Sequence, residues 1–240
     1  LANMETYIAE MNNLSMLNHN VFKAQFALDK DLIFKPGQFM MLDFEHDGKK
    51  IPKAYSIANA PGKDSKKLEL IIKYYEQGVA GNIIKKKWEA FKQTGEPQKI
   101  TMRGAYGKMT LDKKSGITFV ATGVGIAPFI SMIKDELENK KNQNQITLYF
   151  GVRQNRDIIL EAELNALQKK YSNFDFTITL SDADHTWQGA KGRVTAILTE
   201  KNIPQENSFF LCGNPEMVKE IRTMLNSKNI PTDRVHFEVW

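Results

Sequence analysis

Over the first 110 or so residues the hydrophobic positions come in short runs that alternate or break quickly at turn residues. Leu68, Leu70, Ile72 and Tyr74 alternate within Leu68–Tyr75, which predicts a strand with one buried face. Val21–Leu28 and Phe39–Phe44 predict two more, separated by the turn signal Lys35-Pro36-Gly37. Tyr55–Ala58 is a fourth, ended by Asn59-Ala60-Pro61-Gly62, and Lys99–Arg103 a fifth before Gly104. One helix interrupts them, with Ile84, Trp88 and Phe91 on a single stripe. Short strands with turn-rich spacing predict a small antiparallel barrel or sandwich.

After Lys113-Lys114-Ser115-Gly116 the pattern changes. Apolar runs at Ile117–Ala121, Ile146–Phe150, Phe174–Thr179, Phe209–Leu211 and Val235–Val239 alternate with helical stripes. The stripes are Phe129/Ile133/Leu137, Leu160/Leu164/Leu167 and Met217/Ile221/Leu225. This is the βαβ pattern of a parallel sheet. The expected division is residues 1–114 and 115–240, with no repeat or low-complexity segment.

Composition narrows the function classes. At 240 residues with 42% hydrophobic and 25% charged, the chain reads as one or two ordinary globular domains. No run approaches the roughly 18–20 apolar residues of a membrane span, and no short apolar segment follows a basic start. Met4 makes Leu1–Asn3 an expected addition to the natural chain. A single cysteine, Cys212, excludes an internal disulfide, a cysteine-rich zinc site and an iron–sulfur cluster. A cytoplasmic location is the default expectation. His19, His46, His185 and His236 have no metal-ligand spacing, so no metal is expected. Net charge is +5, spread over short clusters such as Lys85–Lys87, which suits docking of an acidic partner better than nucleic acid.

Three segments carry candidate chemistry. Thr122-Gly123-Val124-Gly125-Ile126-Ala127-Pro128 joins a strand to a helix. Gly123 and Gly125 let backbone approach a diphosphate, Pro128 suits the first helical turn, and the helix start offers free N–H donors. The third glycine of the usual dinucleotide fingerprint is absent. Leu211-Cys212-Gly213-Asn214-Pro215-Glu216-Met217 is a second strand–turn–helix, with Asn214 a candidate cap and Cys212 at the strand's carboxyl end. In the first half, Lys53-Ala54-Tyr55-Ser56 places a cation, an aromatic ring and a hydroxyl where one large cofactor can meet all three. Gly78-Val79-Ala80-Gly81-Asn82 opens a helix and forms a second anion site.

In this order these pieces resemble the ferredoxin–NADP⁺ reductase superfamily. The resemblance runs from about Phe34 to the last residue and rests on Pro36–Phe39, Lys53–Pro61, Gly78–Asn82, Arg103–Met109, Gly123–Phe129, Gly151–Arg153, Cys212–Met217 and the terminal Phe237–Trp240. It implies an antiparallel β-barrel that binds FAD, followed by a Rossmann-like five-stranded parallel sheet that binds NAD(P). It puts the flavin diphosphate on Lys53, the ring on Tyr55 and the flavin N5 near Ser56, with Ala54, Ile72, Lys73 and Gly78–Asn82 completing the site. Lys53 replaces the family's usual Arg and cannot make its forked contact. Gly81 replaces a hydroxyl residue. The terminal Trp240 is implied as a lid on the flavin, and Glu238 and Cys212 as neighbours of the nicotinamide. Thr122, Gly123, Gly125, Pro128, Gly213 and Met217 are implied at the pyridine nucleotide.

The implied reaction is hydride transfer from reduced nicotinamide to FAD, then single-electron release to a separate carrier, an acidic ferredoxin or flavodoxin or an oxygenase component. Asp182 favours NADH because it repels a 2′-phosphate and can accept from a ribose hydroxyl. Arg153, Lys191 and Arg193 carry charge that keeps NADPH open. The alternative is a non-catalytic FAD- or nucleotide-binding module of a larger complex.

Overall fold

A computed structural model describes residues 5–111, 115–199 and 203–239. The chain forms two compact units, one of residues up to 111 with 130–135, the other of the remainder.

The first unit holds strands β1 (Glu5–Met16), β2 (Val21–Leu28), β3 (Phe39–His46), β4 (Lys49–Ser56), β5 (Lys67–Lys73) and β6 (Gln98–Tyr106), with helix α1 (Val79–Thr94) between the last two. They form one antiparallel sheet in the order β4-β3-β6-β1-β2-β5. Its two ends meet through an Ile57–Leu70 bridge and an Ala58 N–H to Glu69 carbonyl bond of 2.8 Å, so the sheet closes on itself. Alternation puts Phe22, Phe26, Met40, Leu42, Leu70, Ile72 and Met102 into one apolar core.

Two strands exceed the sequence reading. The pattern of β1 is hidden because its register shifts between Met11 and Asn13, which transfers the buried series to the other parity. The first half of β4 pairs with β3 across a two-residue turn, Asp47 (φ 50°) and Gly48 (φ 70°), both in the left-handed backbone region, the turn that suits the right-handed twist of the flanking strands.

The second unit holds β7 (Ile117–Thr122), the start of helix α2 (Ala127–Lys134, whose residues from 130 on fall in the first unit), β8 (Ile146–Val152), α3 (Glu161–Lys170), β9 (Phe174–Leu180), β10 (Ala190–Lys191), α4 (Val194–Thr199), β11 (Ser208–Gly213), α5 (Pro215–Ser227) and β12 (Val235–Val239). The parallel sheet runs β10-β9-β8-β7-β11-β12. It therefore has six strands rather than the expected five, because the two-residue β10 adds an edge to β9. Strand order reverses between β7 and β11, and their carboxyl ends carry the two strand–turn–helix segments. Phe119 and Phe210 meet as a tilted ring pair on one face of the sheet, 5.5 Å between ring centres, while Val120, Phe209 and Leu211 pack against α4 and α5 on the other.

Candidate functional site

In the first unit, Lys53 and Tyr55 lie two residues apart on β4 and so leave it on one face, in register with Leu42 and Met40 of β3. Lys53 is exposed, while the Tyr55 ring packs against the core and burial pushes its hydroxyl pKa up to about 12. Ser56, on the opposite face from Tyr55, is buried. Closure of the sheet brings the end of β4 to β5, the strand that leads into α1. Ile72 is a core residue with no exposed surface, side chain or backbone, and pairs with Phe22 of β2, so the structure does not offer it to a ligand. Lys73 points outward, its ammonium 5.3 Å from the Tyr75 ring centre.

The start of α1 is open. Gly78 occupies the cap position without a side-chain cap, and no acidic residue sits in the first turn. Asn82 is committed to holding the loop: its amide donates to the carbonyls of Glu76 (2.8 Å) and Gly78 (2.7 Å), and its oxygen accepts from the Tyr74 hydroxyl (3.3 Å). A Cβ on Gly81 would lie 3.3 Å from the Tyr74 ring, a tight contact that a shift of a few tenths of an ångström relieves. The first-turn N–H groups of Val79, Ala80 and Gly81 are those that a helix leaves without an intrahelical acceptor, and the loop before them is held by Tyr74 and Asn82.

In the second unit the two turns interlock at the strand reversal. Gly213 (φ 131°) leaves no room for a side chain, because a Cβ would stand 2.2 Å from Thr122 Oγ1. That hydroxyl accepts the Asn214 N–H at 2.8 Å. A Cβ on Gly125 would meet the Cys212 carbonyl at 2.4 Å, so this glycine serves the packing of turn on turn. Gly123 (φ 55°) is the open one, with nothing within 4 Å of its Cβ position. A single 3₁₀ turn over Gly123–Ile126 runs into α2 with no side-chain cap and no acid, and Pro128 sits in the first turn of α2. By contrast α5 is capped by its own Asn214, whose side chain accepts from Glu216 and Met217, and α3 opens with Glu161 and Glu163. Met217 itself is a core residue packed with Val120 and Leu211.

Cys212 is fully buried. In register beside it on β12 lies Glu238, whose Oε2 is buried with no hydrogen-bond partner among the described residues. Burial pushes the Glu238 carboxyl up to about 7. Trp240 lies outside the described residues.

At the carboxyl ends of β8 and β9, Asp182 Oδ2 accepts from Gln154 Nε2 at 2.7 Å and lies 3.5 Å from Arg153 Nε. The Asp182 N–H donates to the Arg153 carbonyl at 2.8 Å. Arg193 is paired with Glu220 at 3.2 Å, while Lys191 stands exposed on β10. Gln154 and the Asn214 N–H escaped the sequence reading; both act across gaps of 28 and 92 residues that no local spacing signals.

The oxidoreductase FAD-binding domain model matches residues 9–111, and the oxidoreductase NAD-binding domain model matches residues 119–223. The chain belongs to the ferredoxin reductase-like superfamily of FAD- and NAD-binding oxidoreductases. Among its relatives, the anthranilate 1,2-dioxygenase electron transfer component of Acinetobacter baylyi is 29% identical over 87% of this chain and 59% of its own length. NADH-cytochrome b5 reductase 1 of Kluyveromyces lactis is 28% identical over 87% of this chain and 75% of its own. A solved ferredoxin NADP⁺ reductase from Neisseria gonorrhoeae, with FAD and NADP bound, superposes with a TM-score of 0.74 at 22% identity over 98% of each chain. This superfamily member thus spans somewhat over half of the Acinetobacter relative. Its cofactors are FAD and a pyridine nucleotide.

Proposed function

We propose that this chain is an FAD-dependent NADH oxidoreductase that delivers electrons to a separate carrier protein. The observation that carries the proposal is the pair of open helix starts, one in each unit, in a chain that fills α3 and α5 with its own acids and cap. Such starts favour diphosphate through free N–H donors and the helix dipole.

Bound FAD supplies the chemistry, accepting two electrons as a hydride and releasing them singly. Val79–Gly81 hold its diphosphate, and Lys53 adds a positive charge to that grip. The Tyr55 ring packs against the flavin, and the Ser56 hydroxyl is offered to its N5. Gly123 admits the nicotinamide dinucleotide's diphosphate to the start of α2. Glu238 is a proton holder beside Cys212, its carboxyl poised near neutrality. Asp182 keeps Oδ1 for a ribose hydroxyl while Gln154 and Arg153 fix Oδ2, which supports NADH over NADPH. The exposed Lys85 and Lys86, with the Lys85 ammonium 5.3 Å from the Tyr74 ring centre, suit an acidic ferredoxin or flavodoxin.

Anaerobic absorbance of the FAD-loaded protein tests this reading. Rapid bleaching of the flavin band by NADH, with NADPH much slower, is the expected result. Bound FAD that neither nucleotide bleaches would overturn it.

A further inference from the structure

The nucleotide reading leaves one cavity of the second unit unused. It has a volume of about 370 Å³ and lies between α5 and the edge strand β12. Its floor begins at Val235, in register with Phe209 at the start of β11. That is four residues, or about 13 Å, from Gly213 at the strand's carboxyl end. Its other end reaches Phe237, in register with Leu211 and two residues short of Gly213, but none of the described residues that line it belongs to the turns at the strand reversal.

Its walls differ in character. Lys219, Arg222, Thr223 and Asn226 share one face of α5 and supply cations, a hydroxyl and an amide. Ile230, Val235 and Phe237 supply the apolar side. Among the described residues no acidic one lines the space. Among the described residues neither Lys219 nor Arg222 has an ion-pair partner, whereas Arg103, Arg153 and Arg193 each face a carboxylate. The Arg222 guanidinium sits 3.9 Å from the Phe237 ring centre. Stacking restrains that side chain while leaving its in-plane N–H groups for an acceptor, so less rotamer freedom is lost when an anion arrives.

We propose that this cavity binds a small organic anion, a carboxylate with a compact apolar body. Its oxygens meet Arg222 and Lys219, and its body covers Ile230, Val235 and the Phe237 edge. At about 30 Å³ per water the space holds on the order of a dozen non-hydrogen atoms, within the range of ligand pockets. A bare inorganic anion would leave the apolar floor wet, and a neutral ligand would leave two cations unanswered.

The test is an amide-shift titration of the FAD-loaded full chain with benzoate, benzamide and inorganic phosphate in parallel. Benzoate is expected to shift residues 219–226 and 235–237 saturably with a Kd of a few millimolar, as suits its roughly nine non-hydrogen atoms. Benzamide and phosphate are each expected to bind at least about fivefold more weakly. Arg222→Gln is expected to weaken benzoate about tenfold and Arg222→Lys by less, because Lys keeps the charge but loses the fork. Lys228→Gln, at the end of α5, is expected to leave binding unchanged. No saturation by about 50 mM would overturn the proposal, being far above that Kd. So would benzamide or phosphate binding as well as benzoate, an Arg222→Gln protein that binds normally, or shifts centred on residues 122–126 and 213–217.

Discussion

Glu238 offers a sharp test of the electrostatics at the strand reversal. Its carboxyl is pushed from 4.5 up to about 7 by burial alone, with no charged partner contributing. The folded protein therefore keeps a proton that the unfolded chain has released between those two values. Unfolding free energy must fall as pH rises from about 4.5 to about 7 and stay level above that. At 1.36 kcal/mol for each tenfold change, the full difference would be about 3.4 kcal/mol. The side chain is partly open to solvent, so screening reduces this to about 1–2 kcal/mol. Glu238→Gln keeps the shape and removes the ionisation. The variant is expected to match the parent near pH 4.5 and to melt roughly 5 °C higher at pH 8. Carboxyl ¹³C titration of the parent supplies the second measurement, with a midpoint near 7 expected. A melting gap that does not change with pH, or a midpoint near the ordinary 4.5, would refute the reasoning.

The glycines of the two interlocked turns separate packing from ligand access. Gly213→Ala forces a Cβ to within 2.2 Å of Thr122 Oγ1 at φ 131°, and a loss of about 3 kcal/mol is expected in denaturant unfolding of the second unit. Gly123→Ala has open space but φ 55°, so about 1 kcal/mol of stability is lost while nucleotide affinity falls more than about tenfold in fluorescence titration. Asp182→Ser frees Arg153 and removes the charge facing a 2′-phosphate, so the NADPH-to-NADH ratio of kcat/KM is expected to rise at least about tenfold in flavin-reduction assays. Lys53→Arg restores a forked cation on β4 and is expected to slow FAD loss on dilution by about threefold to tenfold. An unchanged off-rate would remove Lys53 from the diphosphate.

Much of the architecture was legible because it rests on periodicity. The alternation at Leu68–Ile72 and the βαβ spacing after residue 115 are local patterns, and the structure places strands at each. Asp47-Gly48 is also a local hairpin signal, yet Lys49, Lys50 and Pro52 beside it mask the strand it begins. In β1 the register shift at Met11 breaks the parity on which a strand pattern is read. The short β10 and α4 carry too few residues for any period to emerge.

The site divides in the same way. Sequence alone determined that two strand–turn–helix segments exist and that Asn214-Pro215 begins a helix, since each depends on neighbours along the chain. Only the tertiary structure decided what those segments do for one another. The reversal of strand order sets β11 beside β7, and from that one adjacency Gly213 must yield to Thr122 and Gly125 to Cys212. The same sheet puts Glu238 beside Cys212 and buries its carboxyl oxygen, and brings Gln154 to Asp182. Desolvation and steric exclusion depend on which atoms surround a group, and those atoms come from strands far apart in the chain.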